Sequence, residues 1–153
     1  MKIFISYGND NLKLVEYVAE NLRPFGEIHY WNQNKEPGQS AWNTIHSWID
    51  NSDLVIAVIT GQVVNRAMAV GNEVGRAVSK GKTVIPLVTK EVRESDLGCL
   101  HGITHQRIDF QNPSEALANI QQVILKKKSE KEQQSTFLIL GGAIALLAMF
   151  SKK

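Results

Sequence analysis

Two apolar, β-branched runs separated by one helical pattern constrain this chain most. SDLVIAVIT (Ser52–Thr60) reads as a buried strand, AMAVGNEVGRAVSKG (Ala67–Gly81) as a crossover helix, and KTVIPLV (Lys82–Val88) as the next strand. Neither strand alternates polar with apolar residues, the pattern of a parallel sheet covered by helices on both faces. On an ideal wheel Val70, Val74, Ala77 and Val78 form the apolar face of the crossover helix. Glu73 falls about 60° to one side of Val70, at the rim of that face.

The rest of the chain repeats the same strand–helix alternation. Lys2–Tyr7 reads as a strand, so the first residues do not resemble an apolar leader. Asp10 or Asn11 is placed to cap the next helix, whose Val15, Val18, Ala19 and Leu22 form one stripe. Pro24 ends it, because a proline pushes the residue before it out of helical space. Gly26–Tyr30 is a short, more polar strand. WNQNKEPGQS (Trp31–Ser40) is a loop with a Pro37-Gly38 turn. Ser40 caps AWNTIHSWID, whose stripe is Trp42, Ile45 and Ile49 with Trp48 beside it. Lys90–Leu100 holds a short helix, His105–Phe110 a fifth strand, and Pro113-Ser114 opens a helix with Leu117, Ile120, Val123 and Ile124 inward. Five such units with right-handed crossovers build a three-layer α/β sandwich.

Charge divides the chain. Residues 1–125 carry 11 Lys and Arg against 13 Asp and Glu, whereas residues 126–153 carry 6 Lys against 2 Glu. The basic balance belongs to the tail, which argues against a nucleic-acid face on the body. Residues 126–135 read as a charged linker and 136–150 (TFLILGGAIALLAMF) as an apolar tail. That tail spans about 22 Å against the roughly 30 Å of a bilayer core. With flanking lysines snorkelling, the expectation is a transmembrane anchor, with Lys126–Lys128 at an anionic membrane face. Cys99 is the single cysteine. No disulfide is therefore expected within the chain, nor a metal site, since His101 and His105 lack acidic or thiol partners.

KIFISY, EPGQSAW, SDLVIAVIT, NEVGRAVSKGKTVIPLV and GITHQRIDF follow one another in an order and spacing that resembles a TIR (Toll/interleukin-1 receptor) domain, bacterial type, over residues 1–125. The resemblance implies a flavodoxin-like fold with a five-stranded parallel sheet in the order 2-1-3-4-5. It also implies an NAD+ nucleosidase that releases nicotinamide and leaves linear or cyclic ADP-ribose, with NAD as substrate and no other cofactor. Glu73 matches the family's catalytic glutamate. Tyr7 and Asn9 would line the same cleft, as would Asn32, Ser40 and Trp42 from the loop and the helix after it. Ser40 serves equally as a helix cap.

The implied setting is a bacterial antiphage or stress response. The partners are other TIR domains by self-association, and the place is an inner or cell membrane with the domain cytoplasmic. Two positions depart from the family pattern: the loop offers Asn32, Gln33 and Asn34 in place of an acid, and Ala69 stands where a tryptophan often precedes the glutamate. Both favour the alternative, a non-catalytic TIR–TIR adaptor at the membrane. The plain alternative for Glu73 itself is a surface pair with Arg76, three residues on.

Overall fold

The computed structural model describes residues 1–8, 12–32, 41–61, 68–109 and 111–150, with the side chains of Met68, Ala69, Cys99 and residues 137–150 outside the description. Five strands form one parallel sheet: β1 (Lys2–Tyr7), β2 (Glu27–Tyr30), β3 (Leu54–Ile59), β4 (Thr83–Thr89) and β5 (Gln106–Ile108). Their order is β2-β1-β3-β4-β5, the flavodoxin-like arrangement expected. Among the described residues four α-helices alternate with them: α1 (Leu12–Leu22), α2 (Ala41–Asn51), α3 (Met68–Ser79) and α4 (Ser114–Phe150).

Alternation along the strands sorts the core into two layers. Ile3 and Ile5 of β1 share one face with Leu54, Ile56 and Val58 of β3. That face meets Val15, Val18, Ala19 and Leu22 of α1 and Leu117, Ile120 and Ile124 of α4. Phe4 shares the other face with Val55, Ala57 and Ile59, under Ile45 and Ile49 of α2 and Val70, Val74 and Ala77 of α3. The register sets Ser6 beside Ala57, and Ala57 beside Pro86. Pro86 lacks a donor, and β5 pairs with β4 only from Leu87 onward, so no ladder is broken there.

Local signals close the elements. α1 gives way to a 3-10 turn over Arg23–Phe25, carrying Pro24. After α3, Gly81 takes a φ of 66°. The Lys82 amide then donates to the Ala77 carbonyl at 2.9 Å and the Gly81 amide to Val78 at 2.9 Å, a Schellman ending that needs glycine. Between β4 and β5 the short helix is of 3-10 type, Glu94–Leu100, broken at Gly98. The proposed caps Asp10, Asn11 and Ser40 lie outside the described residues.

Several inward positions differ from the wheel. Val78, Val123 and Trp42 are 50%, 43% and 44% exposed. In α3 the buried stripe is Val70, Glu73, Val74 and Ala77, so its centre lies nearer Glu73 and leaves Val78 beyond its edge. In α4 the buried positions among the described side chains are Ala116, Leu117, Ile120 and Ile124, which places Val123 at the margin.

The tail also differs from expectation. Among the described residues no helix is long and apolar enough to cross a membrane, which overturns the transmembrane anchor and the membrane placement that followed from it. The cause is length and continuity. The charged residues 126–134 run as part of α4, and the uncharged stretch after them is too short for a bilayer core. Lys127 donates to Thr83 Oγ1 at 2.7 Å and Lys131 to Asp53 Oδ1 at 2.7 Å. These lysines hold α4 to the amino-terminal ends of β3 and β4, a role different from the membrane contact expected of Lys126–Lys128.

Two glycines test the packing in opposite directions. A Cβ at Gly26 would overlap the Met1 carbonyl oxygen, which also accepts the Glu27 amide, whereas a Cβ at Gly75 meets nothing within 4 Å. Gly26→Ala should therefore lose about 1–3 kcal/mol in denaturant unfolding. Gly75→Ala, at an exposed mid-helix position, should gain about 0.5–1 kcal/mol.

Candidate active site

In an open parallel sheet, ligands bind beyond the carboxyl ends of the strands, where the strand order reverses. Here the chain runs from β1 outward to β2, then returns across β1 to β3. The reversal places the ends of β1 and β3 side by side, and α3 packs over them. The segments leading into α2 and α3 from this end, residues 33–40 and 62–67, lie outside the described residues.

Glu73 projects from α3 onto this part of the sheet and is 8% exposed. Its place is within the packed stripe, deeper than the rim the wheel assigns. Ser6, fully buried near the end of β1, donates its hydroxyl to Glu73 Oε2 at 2.5 Å. Burial pushes the Glu73 carboxyl up to about 7, with the Ser6 hydrogen bond opposing part of that rise. The group is thus poised between acid and carboxylate at neutral pH, the condition for proton transfer or for answering a developing positive charge.

Arg76 does not pair with Glu73. It makes a two-pronged contact with Asp50 of α2, at 2.8 and 2.6 Å. That contact holds the Asp50 carboxyl below its usual range, the Arg76 hydrogen bond being the main cause. The surface-pair alternative for Glu73 thereby loses its partner, because the guanidinium is committed to the neighbouring helix.

Tyr7 lies next along β1 and faces the opposite layer, beside Tyr30 in an edge-on contact with centroids 6.5 Å apart. Its hydroxyl donates to the Trp31 carbonyl. Burial pushes its pKa up to about 12, with Tyr30 and the charges of Glu16 and Glu73 adding to the rise. Tyr7 therefore remains a neutral donor that ties the start of the loop to β1. The Trp31 ring meets Trp48 of α2 at 6.0 Å, and His29 stacks on the same indole at 5.3 Å.

Of the residues expected at the site, the structure brings Tyr7 and Glu73 to the same strand end, on opposite faces of the sheet. Asn32 is exposed just after Trp31. Trp42 stands out at the start of α2 against His46. Asn9 and Ser40 lie outside the described residues. Sequence reasoning missed Ser6. The available signal was a hydroxyl inside a buried apolar strand, which must find a hydrogen-bond partner. It also missed Glu91, which accepts from Thr89 Oγ1 at 2.5 Å and from the Gly61 amide at 3.3 Å and so joins the ends of β3 and β4.

Residues 3–124 match the family described as TIR domain. The chain belongs to the TIR domain family. No curated protein sequence matches it. Among solved structures, this TIR domain is similar to the TIR domains of the activated Roq1 resistosome, which directly recognizes the pathogen effector XopQ. The TM-score is 0.65 at 14% identity, covering 80% of this chain and 98% of that one. It is similar to the CMP N-glycosidase BcmB of Clostridium botulinum, with TM-score 0.59, 21% identity, and coverage of 80% and 99%. A third likeness is to the 2-deoxyribosyltransferase of the psychrotolerant bacterium Bacillus psychrosaccharolyticus, with TM-score 0.51, 18% identity, and coverage of 71% and 86%. At these identities the likeness is one of fold.

The raised Glu73 carboxyl has a consequence for stability. The folded state holds its proton more tightly than the unfolded chain, so the folded protein is favoured below about pH 4.5 and loses that advantage as pH rises through about 7. Glu73→Gln removes the ionisation. In denaturant melts the variant should match the parent near pH 4.5 and exceed it by about 3 kcal/mol at pH 8. Equal stability at both pH values would contradict the buried carboxyl.

Proposed function

We propose that this TIR domain cleaves the nicotinamide–ribose bond of NAD, with Glu73 as the catalytic carboxylate. The observation that carries this reading is an acidic side chain buried at the strand-order reversal and poised to ionise near pH 7. The fold likeness to a CMP N-glycosidase and to a 2-deoxyribosyltransferase supports it, since both names describe chemistry at a sugar–base bond.

In the proposed reaction the C1′–N bond breaks and its electron pair leaves with nicotinamide, which departs neutral. Positive charge develops on the ribose ring, and the Glu73 carboxylate stabilises it. Water then attacks C1′ and gives up a proton, yielding ADP-ribose. Attack by an adenine nitrogen of the same molecule gives the cyclic product instead. One carboxylate suffices because the leaving group is already cationic in NAD. Tyr7 would anchor the loop base, and Asn9, Asn32, Ser40 and Trp42 would contact the nucleotide. Self-association of TIR domains would complete the cleft. Such a reaction would consume NAD and would suit an antiphage or stress response.

A second reading is a non-catalytic TIR–TIR adaptor. It is favoured by the part-exposed Trp42 just after the loop, and by Asn32 and Ala69 at the two departures from the family pattern.

Nicotinamide release from NAD, measured across protein concentration, separates the two. The enzyme reading expects turnover that rises with pH through about 7 as Glu73 ionises, and a fall of about 100-fold or more in Glu73→Gln. A folded Glu73→Gln protein that keeps the parent rate would sink the mechanism. Absence of turnover, with assembly lost on changing Pro37 or Gly38, would select the adaptor.

A further inference from the structure

Ser6 is a polar residue on a strand whose neighbours Ile3, Phe4 and Ile5 are all apolar and buried. Its hydroxyl is fully enclosed, and its acceptor is on another element, 67 residues away in the chain. The residue beside it in the ladder, Ala57, is also small and buried. One step back along the same face the pair is Phe4 and Val55. The sheet therefore offers a small-residue floor under α3 at the height where the Glu73 side chain descends.

We infer that Ser6 is a positioning residue for Glu73, its hydroxyl fixing the carboxylate's direction and favouring its charged form. This rests on the reading of Glu73 as the catalytic carboxylate. A carboxylate on a flexible side chain samples several rotamers, and a short, buried hydrogen bond to one oxygen selects one of them. Oε2 takes that bond, which leaves Oε1 as the oxygen free of Ser6 and available to the sugar. The hydroxyl donates, so it stabilises the anion over the acid.

Among the described residues, the titratable groups of β1, α2 and α3 other than Glu73 have contacts of their own. Tyr7 of β1 donates to Trp31, Asp50 of α2 is held by Arg76 of α3, and His46 of α2 lies against Trp42. β3 carries no ionisable side chain.

Two measurements on the full chain test the inference. In protein labelled with 13C at glutamate carboxyls, the Glu73 resonance is assigned by its loss in Glu73→Gln. Ser6→Ala should raise its titration midpoint by about one pH unit, and Ser6→Thr, which keeps the hydroxyl, should restore it. In the NAD assay, Ser6→Ala should lower kcat about 10-fold at pH 7 with KM little changed, and the loss should shrink by pH 9. An unmoved midpoint in folded Ser6→Ala protein would overturn the inference, as would a rate loss equal at every pH. Lack of turnover by the parent protein would instead overturn the enzyme reading, and the carboxyl titration would still decide whether Ser6 governs Glu73.

Discussion

A parallel sheet covered on both faces leaves its central strands no contact with water, and β3 meets that condition fully, all six of its residues being buried. The remaining architecture follows from satisfying it. α1 and α4 close one face with Val15, Leu22, Ile120 and Ile124. α2 and α3 close the other with Ile45, Ile49, Val70 and Val74. Once both faces are sealed, polar chemistry is confined to the strand ends. Ser6 marks that boundary, the last fully buried residue of β1 before the half-buried Tyr7.

Glu73 makes sense only against this enclosure. Moving a carboxylate out of water is costly, and the protein offsets part of the cost with one hydroxyl. A guanidinium in contact would have offset more and would have pulled the carboxyl well below neutrality. Arg76, one helical turn along, instead bridges to Asp50 and links α3 to α2. Coupling between the helices is thus kept separate from the site, and Glu73 retains an acidity suited to reaction at neutral pH. Tyr7 faces the other layer and donates to the Trp31 carbonyl, while the Trp31 ring meets Trp48 of α2 on the Glu73 side, and together they fix the root of the loop to the same strand end. Carboxylate and loop are positioned by neighbouring residues of one strand facing opposite ways.

The opposite end of the sheet has a different task. Lys82 donates to the carbonyls of Asp50 and Ser52, and Asp53 receives both the Lys2 amide and Lys131. Burial alone would raise the Asp53 carboxyl, but these donors outweigh it and hold it low. This end of the domain is bound together by charge. α4 continues along it because its lysines find acceptors there, not because its surface is apolar.

Much of the fold was legible because periodicity reports burial directly. β1 spans the same Lys2–Tyr7 that the sequence marks as a strand, and the four inward residues of α1 are those its spacing selects. Legibility fell where one wheel position separates an inner from a marginal place, as at Val78 and Val123. It fell again at the tail, where hydrophobicity suggested a membrane but the uncharged run was too short and its charged lead-in belonged to a helix docked on the domain. The glutamate was visible as a residue, through the motif order that resembles the family, whereas its state was not.

The sequence by itself determined the order of strands and helices, the doubly covered parallel sheet and the helix that bears Glu73, because these depend on local spacing of apolar side chains. Only the tertiary structure decided that Glu73 meets Ser6, that Arg76 turns to Asp50, and that the lysines of α4 reach Thr83 and Asp53. Those choices depend on how deeply each group is removed from water and which partner from a distant element arrives beside it. Neither quantity is encoded in the spacing of any single segment.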